Sequence, residues 1–308
     1  EFAIRHPNAF YLRTRQRGMQ NWDGKIKYIT KTGQFKIGLL PSVYKRCIEL
    51  GIKPIIVDMR QPLPKVSKVV TQIGKYKLRP EQEKAVKAIL SNKLGETPFQ
   101  IGVLDYTVNA GKTLIMSALY LSYKKQLKTL LITNDSDWLN QARDEFKQYL
   151  PGEDITFVQG KVLNWSNFTI GMVQSISRNM KYYQNELAKI DMVLIDEADQ
   201  GGSKQYQNVI TRLFNTRVRI GLSGTIYMSK LAKDKVKNMN LRCFFGNVLA
   251  EFKLKDSIRK GYSTKTIVKM VPGKPWYGNW ESDCISYKEI YDDSITENKR
   301  AWLMAYNR

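Results

Sequence analysis

Two groups of residues have side chains that could bind a ligand or catalyse a reaction, and the first is Gly111-Lys112-Thr113. It follows an apolar run at residues 99–104 and precedes an apolar, helix-compatible run at residues 114–123. A strand, a tight loop and a helix in this order leave unpaired N–H groups and partial positive charge at the helix N-terminus, which stabilises a bound anion. Lys112 would reach the β- and γ-phosphates of a nucleotide, and the Thr113 hydroxyl would ligate Mg²⁺.

The loop departs from the common phosphate-binding pattern GxxxxGK followed by Ser or Thr. Tyr106 stands where that pattern has its first glycine, and Asn109 occupies another position that is often glycine. Gly111 is present, and a glycine there lets the backbone pass close to the phosphates. Because Gly-Lys-Thr also occurs in ordinary loops, the assignment depends on the second group.

The second group is Asp196-Glu197-Ala198-Asp199, directly after the apolar run at residues 192–195. Such a run is typical of a strand buried on both faces of a parallel sheet, and sheets of this kind bind ligands at the carboxyl ends of their strands. Asp196 would hold Mg²⁺ and Glu197 would polarise the attacking water. Alone, these acids could be a solvated turn; with Gly111-Lys112-Thr113 they predict a nucleotide site, with Lys112, Asp196 and Glu197 as its catalytic candidates.

The elements that must position these residues alternate between strands and helices from about residue 78 to residue 250. Further strand-like runs at residues 129–133, 168–173 and 219–222 each end in small polar residues, and helices are predicted over Pro80–Leu90 and after the turn at residues 134–137. This alternation predicts an α/β fold with a doubly wound parallel sheet.

Composition and charge narrow the class of partner. The chain has 308 residues, 43% of them hydrophobic, which is enough for two domains with packed cores. Lys and Arg number 50 against 28 Asp and Glu, so the formal net charge is +22. This excess predicts a polyanionic partner, either a nucleic acid or an anionic membrane.

Other features of the composition exclude several classes of protein. No apolar run approaches the roughly 20 residues of a spanning helix, and no signal peptide is apparent. Cys47, Cys243 and Cys284 are too widely spaced for a disulfide framework or a zinc cluster. His6 is the only histidine, which excludes His-dependent triads. We therefore expect a cytoplasmic protein that does not contact a membrane.

Residues 1–74 are rich in Lys and Arg and are predicted to form a small basic α+β domain. A turn at residues 22–25 leads into an alternating strand at residues 25–29. A helix is predicted at residues 42–50, closed by Gly51, and a further strand at residues 55–57. Residues 61–77 contain two prolines and little periodicity, which predicts a linker.

Basic residues in this N-terminal segment are interleaved with aromatic ones, which suits a surface that follows a nucleic-acid backbone. The alternative is a solvated basic surface over core aromatic rings, and Trp22 fits the core better than a stacking role. The candidate nucleic-acid contacts in the segment are Arg13, Arg15, Arg17, Trp22, Lys25 and Lys27.

The motifs, taken in order, resemble the first motor lobe of a superfamily 2 helicase over about residues 78–270. The series is Arg79 with Gln82, residues 109–113, residues 196–199, and Ser223-Gly224-Thr225. Residues 21–25 and 38–40 are similar to the N-terminal domain of the UvsW type of phage DNA helicase. The resemblance implies a basic nucleic-acid-binding domain at 1–74, a RecA-like P-loop NTPase lobe at 75–272, and at 273–308 a linker and the start of a second RecA-like lobe.

The resemblance also implies roles for individual residues, with ATP and Mg²⁺ as cofactors. ATP would be bound by Arg79 and Gln82 at adenine and by Asn109, Ala110, Gly111, Lys112 and Thr113 at the phosphates, with Thr113 and Asp196 holding the metal. Nucleotide state would be coupled to strand movement by Ser223, Gly224 and Thr225. Thr133-Asn134 stands where many relatives have Pro-Thr, so the nucleic-acid contact at these two residues is expected to differ. The backbone of the nucleic acid would be contacted by Thr133, Asn134, Gln141, Gln174 and Ser175.

The implied activity is that of an ATP-dependent DNA helicase or translocase acting on branched DNA, including forks, Holliday junctions and R-loops with their RNA–DNA hybrid. The cytoplasm of a phage-infected bacterium would be its location. The chain is expected to be a fragment, because its first residue is not Met and residues 298–302 resemble the start of the second lobe. That lobe supplies arginine fingers in such motors, so the chain alone should bind nucleotide and DNA but hydrolyse ATP slowly.

Two alternatives remain open from the sequence. Asp196-Glu197-Ala198-Asp199 also fits a DEAD-box-type RNA helicase, although that family normally has Ser-Ala-Thr where this chain has Ser223-Gly224-Thr225. The second alternative is a non-catalytic nucleic-acid-binding protein with a vestigial nucleotide fold. Intact Lys112, Thr113, Asp196 and Glu197 argue against it.

Overall fold

The computed structural model describes residues 2–15, 19, 21–159, 165–226 and 232–265. The described residues up to Thr264 form one compact unit. The predicted linker and second-lobe segment at 273–308, and Arg17, lie outside the described residues.

The described residues contain thirteen strands and ten α-helices. The strands are β1 Ala3–Arg5, β2 Lys25–Lys27, β3 Gln72–Ile73, β4 Tyr76–Lys77, β5 Lys93–Leu94, β6 Thr97–Pro98, β7 Ile101–Tyr106, β8 Thr129–Thr133, β9 Ile155–Val158, β10 Phe168–Met172, β11 Met192–Asp196, β12 Val218–Ser223 and β13 Val248–Phe252. The helices are α1 Ala9–Arg15, α2 Leu40–Glu49, α3 Pro80–Leu90, α4 Lys112–Ser122, α5 Ser136–Tyr149, α6 Val173–Arg178, α7 Met180–Leu187, α8 Lys204–Ile210, α9 Ala232–Phe245 and α10 Leu254–Arg259. Short 3₁₀ helices cover Ile37–Leu39 and Ala198–Gln200.

A seven-stranded parallel sheet organises the unit, in the order β13-β7-β12-β11-β8-β10-β9. Strands β7, β8, β11 and β12 are buried along their whole lengths, as parallel strands covered by helices on both faces must be. The sheet confirms the predicted doubly wound α/β fold. Its carboxyl edge gathers the loops that carry the predicted site residues.

Two apolar layers cover the faces of the sheet. On one face, α3, α4 and α5 contribute buried side chains such as Val86, Ile115 and Phe146. On the other face, α7, α8 and α9 contribute residues such as Val209 and Phe245. Side chains alternate between the faces of each strand, so β7, β8 and β11 contribute apolar residues to both layers.

Two helices begin at positions that prepare the site. Gly111, with a left-handed φ of 72°, is the N-cap of α4, and nearly all of that helix is buried. Asp135 is the N-cap of α5, and its Oδ1 accepts hydrogen bonds from Asp137 N at 2.8 Å and Trp138 N at 3.2 Å. The Asp135 cap satisfies N–H groups that α5 itself leaves unpaired, whereas Gly111 makes no side-chain cap hydrogen bond to α4.

The N-terminal segment packs directly on the sheet unit. Strands β1 and β2 pair in antiparallel fashion, and Leu39 is 1% exposed in the same apolar layer as α9. A Cβ atom at Gly38 would lie 2.2 Å from the carbonyl oxygen of Arg242 in α9, so backbone contacts backbone at this point. The domain boundary near residue 74 stays a prediction.

Some local predictions for the first 77 residues are wrong. Residues 55–57 form no strand, because no neighbouring strand pairs with them; Ile55 is 88% exposed and Val57 is 74% exposed. β-branched residues favour strands only where a partner strand and a buried face are available. The predicted linker contains the β3–β4 hairpin, and the strand predicted at residues 25–29 ends at Lys27.

None of the helices in the described part of the chain is long and apolar enough to cross a membrane.

Candidate nucleotide-binding site

The loop between β7 and α4 wraps around the start of a buried helix. Two of its residues take left-handed backbone conformations, Asn109 with φ 62° and Gly111 with φ 72°. Asn tolerates this region better than most residues, and glycine adopts it freely. The loop therefore turns sharply into α4, and the helix N-terminus faces the carboxyl edge of the sheet, where an anion would be stabilised.

The structure brings Lys112 and the acid pair together, as the predicted site requires. Lys112 Nζ lies 3.6 Å from Asp196 Oδ1 and 3.9 Å from Glu197 Oε1. Asp196 ends β11, and Glu197 takes a left-handed φ of 52°, which turns the chain immediately after the strand. A phosphate-binding cation and two carboxylates thus meet at one point of the sheet edge.

Burial dominates the electrostatics of this acid pair. Burial raises the pKa of Asp196 above its ordinary value, although the Lys112 ammonium acts in the opposite direction. Burial also raises the pKa of Glu197, opposed by Lys112 and assisted by the neighbouring Asp196 and Asp199 carboxylates. A bound cation would favour the charged forms of both groups.

The donor set fits Mg²⁺ that is held jointly with phosphate. Asp196 Oδ1 is buried and accepts no hydrogen bond from any described residue, and Thr113 is buried in the first turn of α4. Among the described residues, no group of three His, Cys, Asp or Glu side chains could hold a metal ion by itself. Mg²⁺ commonly takes one or two carboxylates and completes its shell with phosphates and water, so Thr113 and Asp196 suit that arrangement.

Arg79 and Gln82, predicted to contact adenine, also hold the phosphate loop. Gln82 Nε2 donates to Ala110 O at 2.9 Å, and Arg79 Nη2 donates to Asn109 O at 3.1 Å. The two residues form the capping box of α3, in which Arg79 N donates to Gln82 Oε1 at 2.8 Å. Base-binding and phosphate-binding residues are therefore connected by hydrogen bonds.

Sequence reasoning missed the residues beyond β13 that support this group. The Arg79 guanidinium lies 4.3 Å from the centre of the Tyr262 ring, and Lys260 Nζ lies 2.7 Å from Glu81 Oε2. Both contacts join α3 to the chain just after α10. In the sequence these residues belong to the Lys260-Gly261-Tyr262 turn, which by itself indicates no ligand site. Their role follows only from the fold, which places the turn beside Arg79.

A cleft of about 450 Å³ lies over the phosphate loop and the acid pair. Its remaining wall comes from α5, through Trp138, Gln141, Glu145 and Tyr149. Gln141, predicted to contact nucleic acid, lines this cleft, and its Nε2 donates to Glu145 Oε1 at 3.0 Å. The three α5 residues other than Gln141 were missed, because nothing in their types indicates a ligand.

The predicted coupling residues connect to the acid motif. Ser223 Oγ donates to Asp199 Oδ1 at 3.0 Å, and Thr225 N donates to Ser223 Oγ at 3.2 Å. A Cβ atom at Gly224 would lie 3.2 Å from Thr107 Cα, so this turn also touches the loop after β7. The turn after β12 therefore contacts both halves of the site.

Of the strand-end residues predicted to contact nucleic acid, four lie on the neighbouring carboxyl ends of β8 and β10. Gln174 Nε2 donates to Asn134 O at 3.2 Å, and Asn134 Nδ2 donates to Gln200 Oε1 at 2.6 Å. Thr133 is buried, and its Oγ1 accepts from Asp135 N at 3.2 Å, while Ser175 lies in α6 and is partly buried. Asn134 and Gln174 thus form a polar patch beside the acid motif.

The N-terminal candidates form a separate group around β1 and β2. Arg13, Arg15, Lys25 and Lys27 are all exposed, and Lys27 also pairs with Asp23 at 3.1 Å. Trp22 is half-buried, and its Nε1 donates to Lys25 O at 2.9 Å, so its polar edge is used within the fold.

Comparison with known proteins agrees with this arrangement. Residues 75–228 match the family model described as the type III restriction enzyme, res subunit. The chain is 24% identical over 227 residues to the ATP-dependent DNA helicase uvsW of Enterobacteria phage T4, covering 67% of this chain and 43% of that protein. It is 26% identical over 147 residues to a protein of Acanthamoeba polyphaga mimivirus described as an ATP-dependent RNA helicase, covering 47% of this chain and 27% of that one. The chain therefore spans less than half the length of either relative.

The fold has a close counterpart among solved structures. The crystal structure of the UvsW helicase from bacteriophage T4 superposes with a TM-score of 0.61 at 21% identity, covering 82% of this chain and 90% of that chain. This match identifies the sheet and its helices as the RecA-like fold of helicases. Since the family match spans half of the sequence and includes the phosphate loop and the acid motif, the chain belongs to the type III restriction enzyme res subunit family, and it is similar to the UvsW helicase in sequence and in fold.

Proposed function

We propose that this chain carries the ATP-binding lobe and the DNA-contacting flank of an ATP-dependent helicase or translocase that remodels branched DNA. The observation that supports it most directly is the approach of Lys112 Nζ to Asp196 Oδ1 at 3.6 Å and to Glu197 Oε1 at 3.9 Å. These three groups lie beside a helix N-terminus and open into a cleft of about 450 Å³, within the range of small-molecule sites.

Each residue of the proposed site has a distinct task. Lys112 donates to the β- and γ-phosphates and in doing so leaves its ion pairs with the carboxylates. Glu197, whose side chain is 46% exposed at the cleft, orients a water molecule for in-line attack. Thr113 and Asp196 would hold Mg²⁺, which when bound neutralises charge on the phosphate oxygens.

Base recognition and loop geometry depend on the same two side chains. The Gln82 amide can pair with an adenine edge, but its Nε2 at present donates to Ala110 O. Arg79 likewise contacts Asn109 O, the Tyr262 ring and Glu81 Oε1, which lies 3.4 Å from its Nε. Adenine binding would therefore release or shift hydrogen bonds that hold the phosphate loop, which links recognition of the base to the shape of the phosphate site.

We expect slow hydrolysis by the 308-residue chain. Among the described residues that line the cleft, Lys112 is the one cation, and a triphosphate requires more positive charge than that in its transition state. An arginine finger supplied from outside is commonly worth about 10³–10⁵ in rate. Vigorous DNA-stimulated turnover by this chain alone would contradict the expectation.

Two observations support a nucleic acid as substrate, and a third favours DNA. The net charge is +22, the strand-end patch at Asn134 and Gln174 lies beside the acid motif, and the T4 relative that spans most of this chain is named as a DNA helicase. Forks, Holliday junctions and R-loops offer the duplex-to-single-strand transitions that such a motor would use. Location in the cytoplasm of an infected bacterium belongs to the same proposal.

An RNA helicase is the second candidate, because the mimivirus relative is described as one. Binding measurements separate the two. With a non-hydrolysable ATP analogue present, fluorescence anisotropy should show at least about tenfold tighter binding of forked DNA than of linear duplex DNA or single-stranded RNA of equal length. Equal affinity for fork and duplex would remove the branched-DNA proposal, and tighter binding of RNA would favour the RNA helicase.

A further inference from the structure

A second cavity lies at the amino edge of the sheet, the edge opposite the nucleotide cleft. Its volume is about 210 Å³, and its wall includes Lys36, Arg60, Leu213, Phe214, Arg219 and Phe244. Arg219 is at the start of β12, where its backbone N donates to Gln100 O before β7 begins. The cavity therefore joins the N-terminal segment to the loop after α8 and to the end of α9.

Arg219 is a buried cation whose hydrogen bonds are incomplete. Its side chain is 6% exposed; Nη2 donates to Leu213 O at 3.2 Å and Nη1 to Phe244 O at 3.4 Å. Its Nε is buried and has no hydrogen-bond acceptor among the described residues. Burial and the nearby Arg60 lower the pKa of Arg219 to about 10, so the guanidinium remains charged at neutral pH.

The neighbouring carboxylate is already shared by two other guanidinium groups. Asp58 accepts from Arg60 Nε at 2.9 Å and from Arg60 Nη2 at 2.7 Å. Arg217 Nε lies 3.4 Å from the same carboxylate. No acidic residue is among the described side chains that line the cavity. The cavity thus has excess positive charge, to which the exposed Lys36 contributes at its outer side.

The chemistry of such a cavity suits an anion. A buried charge is costly unless it is paired and fully hydrogen-bonded, and two carbonyl oxygens are a weak substitute for a carboxylate. The planar guanidinium matches phosphate oxygens well. The volume is below the roughly 300–1,000 Å³ of drug-sized ligand sites, so it fits a single phosphate group better than a nucleotide.

We propose that this amino-edge cavity binds one phosphate group, with Arg219 as the buried contact and Lys36 as the contact at the mouth. The phosphate could be free or belong to the backbone of a nucleic acid, and the two share the chemistry that the cavity recognises. The ring of Phe214, which also lines the cavity, is exposed to solvent. The site does not use any residue of the nucleotide cleft.

Titration calorimetry with inorganic phosphate tests the proposal in the Lys112→Ala background, where the nucleotide cleft is weakened as a competing phosphate site. We expect binding in that background to weaken at least about tenfold when Arg219→Met is added. Arg212→Met is the matched control, because it removes an exposed guanidinium from the same loop without touching the cavity. Equal loss in both variants, or no loss in either, would overturn the proposal.

If Arg219→Met does not fold, Lys36→Gln tests the same site through an exposed residue. We expect it to weaken phosphate binding about threefold or more, and unchanged binding would overturn the assignment. Oligonucleotide binding at several salt concentrations then distinguishes the sources. If the cavity binds a backbone phosphate, Lys36→Gln should lower the dependence of the logarithm of DNA affinity on the logarithm of salt concentration by about 0.9 relative to Arg212→Met. If it binds free phosphate, the two variants should show the same salt dependence, although Lys36→Gln still weakens the binding of inorganic phosphate.

Discussion

The two edges of the central sheet bury charge in different ways. At the carboxyl edge, the buried Asp196 faces Lys112 across 3.6 Å, so each charge has an opposite partner. At the amino edge, Arg219 is equally buried but donates only to carbonyl oxygens, and the Asp58 carboxylate pairs with Arg60 and Arg217. At the carboxyl edge the protein itself supplies the counter-charge, whereas at the amino edge we propose that a bound phosphate supplies it.

The difference shows what an ion pair does and does not achieve inside a protein. Even with Lys112 beside it, burial raises the pKa of Asp196, so loss of hydration outweighs the attraction of the ammonium. Both edges therefore keep a charge that costs stability in the free protein. Such a cost is commonly retained where a ligand later relieves it.

The largest effect is expected from Lys112→Ala, which removes the cation of the carboxyl edge alone. Loss of a charged hydrogen bond to phosphate costs about 1.5–3 kcal/mol, so ATP affinity should fall about 10- to 100-fold, measured with a fluorescent ATP analogue. Lys84→Ala, on the exposed face of α3, is the control and should retain affinity. If Lys112→Ala binds ATP normally, the phosphate-loop assignment is wrong.

Gly111→Ala should weaken ATP binding about tenfold through the shape of the loop. Alanine at a left-handed position costs about 1–2 kcal/mol, and here its Cβ would also lie 2.3 Å from Gln82 Nε2. Gly33→Ala is a matched control, because Gly33 has φ 80° but no atom within 4 Å of the added Cβ. The control should lower the melting temperature while leaving ATP affinity intact; equal affinity losses in both would show that Gln82 is irrelevant.

Asp196→Asn should abolish ATP hydrolysis. It should nevertheless raise the melting temperature at pH 7, by about 2–4 °C for each kcal/mol by which the free energy of unfolding increases. The folded state raises the pKa of Asp196, so protonation stabilises the fold as the pH falls from that raised value toward 3.8. The difference between variant and parent should therefore be largest at neutral pH and shrink on acidification. Asp144→Asn, at an exposed position of α5, should show no such dependence.

The smallest effect is expected from Tyr262→Ala, which removes the ring beneath Arg79. A cation–π contact at a partly exposed site is worth about 0.5–1 kcal/mol, so ATP affinity should fall about two- to fivefold. Tripolyphosphate, which has no base, should bind the variant and the parent equally. Equal weakening of both ligands would mean that Tyr262 supports the loop and not the base; Tyr182→Ala is an exposed aromatic control.

The sheet was predictable because its strands are short apolar runs that end in polar residues. The strand at residues 129–133 was placed residue by residue, since burial on both faces leaves little choice of register. Residues 55–57 are also a short apolar run, but the strand predicted there is absent, because no partner strand pairs with them. Local composition could not reveal that difference.

The candidate site was predictable in part. The types and order of Lys112, Asp196 and Glu197 indicated convergence, which the distances between them support. The sequence did not indicate that Gln82 and Arg79 bond the phosphate loop, since the acceptors lie 28 and 30 residues away. The sequence did not indicate a role for Arg219 either. A basic residue at the start of a strand does not show from its type that it will be buried without a carboxylate partner.

The absence of a side chain at Gly38 determines how motion would pass through the molecule. The space a methyl group would need is occupied by the Arg242 carbonyl of α9, and Gly246, just after that helix, approaches Gly38 as well. A peptide group cannot rotate away as a flexible side chain can, so a shift of α9 would be transmitted to residues 37–39 without slack. In the motor that we propose, DNA bound to the basic N-terminal segment would therefore move together with α9, because the two backbones are in direct contact at Gly38.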